Sequence, residues 1–392
     1  MSKRIGSIVV TFLALGGLCL FGSCASRYAD DQGANRWNEE RSAVDTRLVR
    51  LLESELYDEA EALADSLLAA GWRDPRLLGQ KAAAIGALGR VDEAIALFEE
   101  AILADYAGCD NHLNFAVLLM RAGKTGRAIT ELREAKQFCA GSNRVTIFRN
   151  LAVGYIKMDQ PEKALEEVEK GLTIASEDPY LKGMKGMLIM DEDPVTAEQL
   201  LSAPIASGTG EPEFLYQYGI LLLNSDRYGV AVEVLERALQ ARPSDLEVAE
   251  ALALALFRVG RLDDADRLYR MLETSGRDHP LERARIYMDM RRYDEALELL
   301  SRLEQTPEIL DRTAMCLMNL GRIDEAMEKE REALSKDPDW TVAMINLAVL
   351  LAARGELDEA RELLERALEI EPENTTALRN LERIDKAIEG ER

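Results

Sequence analysis

A short motif that recurs every 30 to 36 residues constrains this chain more than any other feature. The motif is an apolar residue followed by Asp-Glu-Ala or a close variant, as in YDEA at 57–60 and LDEA at 357–360. Its final alanine serves as a marker of each unit. The ten markers are Ala60, Ala94, Ala128, Ala164, Ala197, Ala231, Ala265, Ala296, Ala326 and Ala360, spaced by 34, 34, 36, 33, 34, 34, 31, 30 and 34 residues. Such a period predicts an array of similar units.

Other residue types keep a constant distance from the marker. A glycine stands five residues before it in half of the units, and a small residue stands twelve before it in eight of ten. These spacings predict a first helix, a tight turn and a second helix. The expected N-caps of the second helices are Asp92, Asp263, Asp324 and Asp358. One helix pair cannot bury its apolar face alone, so the units are expected to stack.

The combined pattern resembles the tetratricopeptide repeat (TPR) family over roughly residues 41–373. The resemblance implies an all-α, right-handed TPR α-solenoid of about ten helix-turn-helix repeats. The expected parts are block one at 41–201 (units 1–5), a hinge-like Gly/Pro/Ser-rich segment at 202–211, block two at 212–373 (units 6–10), and a capping helix and tail at 374–392.

The amino terminus predicts export. Residues 1–23 combine Lys3-Arg4, an apolar stretch and small residues, which is typical of a signal peptide. The Gly-Ser-Cys ending resembles a bacterial lipobox, which would make Cys24 the site of lipid attachment, including palmitate. An ordinary signal peptide and an uncleaved membrane anchor are the alternatives. Residues 24–40 are polar and aperiodic, so we expect a flexible tether, with the body facing the periplasm from the outer membrane.

The net charge of −23 argues against nucleic-acid binding, because an acidic surface repels phosphate. Catalytic groups are sparse, since the chain has only two histidines. A Cys₂His metal site at Cys109, His112 and Cys139 would lack a fourth ligand. The tripeptide Gly123-Lys124-Thr125 lacks the first glycine of a phosphate-binding loop. We therefore expect no enzyme, no cofactor and no metal.

In TPR proteins the first helix of each unit lines a concave groove that binds peptides or partner helices. Carried over by offset from the marker, the implied groove holds Asn114, Met120, Arg121, Arg149, Asn150, Ile156, Lys157, Tyr216, Phe257, Arg258, Met288 and Met318. Arg121, Arg149 and Lys157 would form a basic patch, and the later residues a Met- and aromatic-rich lining suited to peptides.

Cys109 and Cys139 are disulfide candidates, because they stand at neighbouring ends of two antiparallel helices in an exported chain. The function expected is a membrane-anchored scaffold that binds protein or peptide partners of the bacterial envelope, in the assembly of an envelope, pilus or secretion machine. The alternative is a solute-binding or accessory subunit of an envelope transport or polysaccharide-export system. The sequence does not indicate an oligomeric state.

Overall fold

A computed structural model describes residues 32–206 and 211–391, and every regular element in these ranges is an α-helix. The chain divides after Ser225 into two compact units. The first unit contains α1 (Gln32–Glu53), α2 (Tyr57–Ala69), α3 (Pro75–Ala87), α4 (Val91–Ala104), α5 (Cys109–Arg121), α6 (Thr125–Ala135), α7 (Gly141–Lys157), α8 (Pro161–Ile174), α9 (Pro179–Ile189), α10 (Pro194–Ala206) and α11 (Pro212–Asn224). The second contains α12 (Tyr228–Ala241), α13 (Leu246–Arg258), α14 (Leu262–Thr274), α15 (Pro280–Asp289), α16 (Tyr293–Leu300), α17 (Pro307–Asn319), α18 (Ile323–Lys336), α19 (Thr341–Ala353), α20 (Leu357–Ile370) and α21 (Thr375–Glu391).

Successive helices pack as pairs, such as α3 with α4 and α17 with α18. The first helix of a pair also contacts the first helix of the next pair, as α5 does with α7 and α19 with α21. We call these first helices the inner helices. The stacking buries the ten marker alanines, each of which is at most 1% exposed. Alanine at these positions lets the paired helices approach closely, and larger residues such as Phe98 fill the space between pairs.

In nine of the ten repeats, the turn between the two helices has a left-handed residue five positions before the marker, and the exception is Glu192, before Ala197. At Gly123 the φ angle is 74°, and the N–H groups of Gly123 and Lys124 donate to the carbonyls of Met120 and Leu119, at 3.3 and 2.8 Å. This is the Schellman pattern that ends a helix. Gly123-Lys124-Thr125 is therefore a helix-terminating turn. Non-glycine residues hold the same conformation at Glu55, Asp159, Asp226 and Arg291.

The predicted N-caps are wrong by two residues. Each of these aspartates lies second in its helix, and the cap position before Asp92 belongs to Arg90, whose side chain does not cap. Asp263, Asp324 and Asp358 are placed in the same way. A carboxylate in the first turn still interacts favourably with the positive end of the helix dipole, which accounts for its recurrence.

The predicted boundaries around the tether and the hinge also need correction. Helix α1 begins at Gln32, so residues 32–40 are helical rather than an aperiodic tether. Helix α10 continues to Ala206 with Pro204 inside it, and α11 packs on α10, so both flanks of residues 202–211 belong to the first unit. The division follows Ser225 instead. The capping helix is observed as α21, whereas the signal peptide and Cys24 lie outside the described residues.

The left-handed turns lead to a first prediction. A side chain in this conformation costs about 1–2 kcal/mol, which glycine avoids. Arg291→Gly should therefore stabilise the α15–α16 pair by about 1 kcal/mol, measured as slower amide hydrogen exchange in both helices. Arg291→Ala is the matched control and should change little, and Gly260→Ala should weaken the α13–α14 pair. Equal exchange in Arg291→Gly and Arg291→Ala would contradict the assignment.

Candidate functional site

The inner helices α5 and α7 of the first unit carry four predicted groove residues with accessible side chains. Arg121 is exposed, and Asn114, Asn150 and Lys157 are half-buried. Arg121 and Lys157 are the last residues of their helices, and each lies seven positions before its marker. None of these four side chains makes a hydrogen bond or an ion pair with another described residue, so all four side chains are available to a ligand.

Lys157 is the least solvated of these groups that carry charge. Burial lowers the pKa of its ammonium group, because the charged form loses water that no neighbouring carboxylate replaces. An anionic group beside Lys157 would restore that lost stabilisation. The position therefore favours a carboxylate from a partner.

Arg149 does not belong to this free set. Its guanidinium donates to Asp178 and lies over the Tyr180 ring, 5.2 Å from the ring centroid. Asp178 also accepts from the backbone N–H of Leu181 at 2.9 Å and so caps α9. Arg149 thus ties α7 to the start of α9. The predicted basic patch reduces to Arg121 and Lys157.

Two predicted groove residues lie in the core instead. Met120 is 2% exposed and Ile156 is 4% exposed. Gly154 of α7 adjoins this part of the core, because a β-carbon at that position would lie only 3.0 Å from Cγ1 of Ile129. A partner could not contact either residue without rearranging the repeat.

The second unit presents apolar side chains on adjacent inner helices. Met315 and Met318 on α17 are 39% and 40% exposed, and Val342 and Val349 on α19 are 46% and 42% exposed. We call these four residues the apolar strip. The sequence reasoning missed the two valines, although Val349 stands eleven residues before its marker, as Met315 does before its own. The same eleven-residue distance from the marker, taken on α19, points to Val349.

The remaining predicted groove residues occupy three other inner helices. Tyr216 on α11, Phe257 on α13 and Met288 on α15 are all half-buried. Arg258 is exposed at the end of α13, and its guanidinium carbon lies 5.7 Å from the centroid of the Tyr228 ring. These residues therefore offer less apolar surface to a partner than the apolar strip does.

Cys109 and Cys139 are joined by a disulfide, with 5.5 Å between their α-carbons. The bond connects the start of α5 to the segment after α6 and closes a loop of about 30 residues, which the chain-entropy model values at about 3–4 kcal/mol. The bonded sulfurs are not free for metal binding. Within the described ranges, no group of three or more His, Cys, Asp and Glu side chains is placed to hold a metal ion.

His112 is fully buried beside this disulfide, and both of its ring nitrogens face acceptors. Nδ1 lies 3.2 Å from Glu131 Oε2, and Nε2 lies 2.9 Å from the carbonyl oxygen of Tyr106. Only the doubly protonated ring can donate to both. Burial alone would lower the pKa of His112, but the hydrogen bonds to Glu131 and Tyr106 outweigh it and raise the pKa above its ordinary value.

The raised pKa gives a second prediction. Stabilisation from His112 is fully present below the unfolded-state pKa of about 6.5 and is lost as pH rises through the folded-state pKa. An NMR titration should place the His112 pKa above about 6.5, and Glu131→Gln should lower it, because burial then has less opposition. A wild-type His112 pKa below that of a free imidazole would contradict the bonded geometry.

No helix in the described part of the chain is both long and apolar enough to cross a membrane. Among curated proteins, this chain is 24% identical over 215 residues to tetratricopeptide repeat protein 8 of Caenorhabditis elegans. The match covers 53% of this chain and 36% of the relative, so the chain spans about a third of that protein's length.

Solved structures with similar helical arrays include three TPR-containing or related proteins. Pseudomonas aeruginosa pilF is 20% identical, with 54% of this chain and 96% of that chain covered and a TM-score of 0.48. A tetratricopeptide repeat protein from Parabacteroides merdae is 16% identical, with 71% and 98% covered and a TM-score of 0.41. Yeast Tom70 is 16% identical, with 91% and 97% covered and a TM-score of 0.34.

Four family models, each described as tetratricopeptide repeat, match residues 212–255, 246–271, 281–340 and 317–383. These matches cover the turns and markers of the second unit. The same spacing of marker, turn and small residue continues through the first unit. Residues 212–271 and 281–383 therefore contain tetratricopeptide repeats, and the stacked helix pairs of the described chain have the architecture of an all-α TPR solenoid.

Proposed function

We propose that this protein is an exported, lipid-anchored scaffold that binds partner proteins of the bacterial envelope through its inner helices. TPR folds serve protein–protein interaction. In this function the protein lies in the bacterial envelope, is anchored through Cys24, and takes part in assembling an envelope, pilus or secretion machine. Its support comes from the lipobox-like ending of residues 1–24 together with accessible inner-helix surfaces.

The apolar strip is the observation that carries the proposal. Four apolar side chains, each about 40% exposed, stand on two inner helices that contact each other. Methionine adapts its shape to different ligands, and apolar side chains of this kind anchor an extended segment or an amphipathic helix. We assign this strip the role of binding the apolar side chains of a partner segment.

The free cations in the first unit supply a second kind of contact. Removal of residues 1–23, which carry two positive charges, leaves a chain of net charge −25. Arg121 and Lys157 are thus unpaired cations on inner helices of an acidic molecule. They favour a partner segment that carries carboxylates, because the remaining surface repels such a segment.

Crosslinking and pull-down from membranes would test both the apolar strip and the two cations, Arg121 and Lys157. Met315→Asp/Met318→Asp should reduce partner recovery by about tenfold, which corresponds to about 1.4 kcal/mol of binding free energy. Arg121→Glu/Lys157→Glu should do the same for partners held by charge. The matched controls are Val230→Asp, an exposed apolar residue on α12, and Arg133→Glu, an exposed cation on α6.

The outcomes discriminate between the possibilities. If both double variants recover the same partners as wild type while the controls also behave as wild type, the inner helices are not the binding surface. If purified protein retains a small solute rather than polypeptide, the transport-accessory alternative is favoured over the scaffold.

The anchor has its own test. Intact-mass measurement of protein extracted from membranes should show acyl chains on a mature terminus at Cys24, because each buried methylene contributes about 0.8 kcal/mol to membrane binding. Cys24→Ser should lose that mass and leave the membrane fraction, whereas Cys316→Ser, at a buried cysteine, should keep both. A wild-type mass without acyl chains contradicts the lipoprotein proposal.

A further inference from the structure

One core position of the repeat carries a carboxylic acid where the other nine units carry an apolar residue. The position is four residues after the marker, and its occupants are Ala64, Phe98, Leu132, Val168, Leu201, Leu235, Tyr269, Leu300, Glu330 and Leu364. Glu330 is 1% exposed, so it occupies the same interior site as its apolar counterparts. A solvated helix face cannot account for an acid there.

The surroundings of Glu330 come from three helices of the second unit. Asp311 on α17 and Asn346 on α19 both adjoin it, and Asn346 Nδ2 donates to Asp311 Oδ1 at 2.6 Å. Oε2 of Glu330 receives no hydrogen bond from any described residue. The acceptors outnumber the donors in this interior site, and two buried carboxylates cannot bond to each other without a proton.

Other charged groups do not neutralise the pair. On α17, Arg312 and Glu308 act on Asp311 and are bonded to each other at 2.8 Å. Cys316 on the same helix is buried, which raises the pKa of its thiol to about 11, so it stays neutral near pH 7. From α19, the adjoining group is the uncharged Asn346.

We propose that Asp311 and Glu330 share one buried proton that closes the packing of α17, α18 and α19, and that loss of this proton loosens these helices. The pair is therefore a proton-linked latch within the second unit. The position and contacts of Glu330 support this latch, whether or not the protein acts as a scaffold. If the scaffold function also holds, opening the latch changes the apolar strip, because Met315 lies on α17 and Val349 on α19.

The direction of the pH effect follows from the pair. Burial, and then the Asp311 charge, raise the pKa of Glu330 to about 9. Burial raises the pKa of Asp311 as well. A group with a raised folded-state pKa stabilises the fold fully below its unfolded-state pKa of about 4.3, and that stabilisation is lost as pH rises toward the folded value. Opening of α18 should therefore become easier from acidic to alkaline pH.

Hydrogen exchange without any partner present tests the latch directly. After correction for intrinsic exchange, the opening equilibrium of α17–α19 amides should rise about tenfold per unit between pH 6 and 8 in wild type. Glu330→Gln should abolish this dependence, and Glu330→Leu, which restores the usual residue, should abolish it and slow exchange further. Glu328→Gln, at an exposed site on the same helix, is the control and should keep the wild-type slope.

A second measurement covers the case in which a variant changes the fold. The infrared spectrum of the wild-type protein at neutral pH should contain the carbonyl stretch of a buried protonated carboxylic acid, and Glu330→Gln should lack it. Parallel pH slopes in wild type and Glu330→Gln, or a neutral-pH spectrum without that band, would overturn the proposal. Neither result bears on whether the inner helices bind a partner.

Discussion

Close packing of two helices at a buried alanine is the interaction on which the rest of this structure depends. Alanine at the marker position has no long side chain to hold the paired helices apart, and in nine of the ten repeats a left-handed residue five positions earlier reverses the chain. Within each of the two compact units, repeating that contact creates a core from helix pairs that could not be stable alone. A change of one methylene at such a contact would be felt, since protein interiors have few voids to absorb it.

This packing also determines which residues are left for function. The side chains around each marker alanine form the core. A side chain on an inner helix either packs into that core, as those of Met120 and Ile156 do, or remains accessible, as that of Met318 does. Accessible apolar groups in the second unit and unpaired cations in the first are chemically different surfaces. They are suited to different features of a partner: apolar side chains for one, carboxylates for the other.

Several polar groups inside the repeats depart from the simple rule of apolar core and charged surface. Arg149 donates to Asp178 and lies over the Tyr180 ring, which ties α7 to α9. His112 has a partner at both ring nitrogens, Glu131 and the Tyr106 carbonyl. Glu330 is different, because an oxygen within its interior site receives no donor. Buried groups of this second kind respond to pH, since a proton is the ligand that can satisfy them.

The sequence by itself determined the helix pairs, their turns and the stacking, because these features rest on spacings repeated ten times along the chain. It also predicts that the first helix of each pair carries the partner-binding surface. It could not determine the state of single side chains, since the ion pair that occupies Arg149 comes from Asp178, 29 residues away. Local rules also misplaced some helix ends, since Asp92 lies within its helix rather than capping it and Pro204 does not end its helix. Only the tertiary structure decided which cations are free, which methionines are exposed and which acids are buried, because each depends on atoms brought together from different repeats.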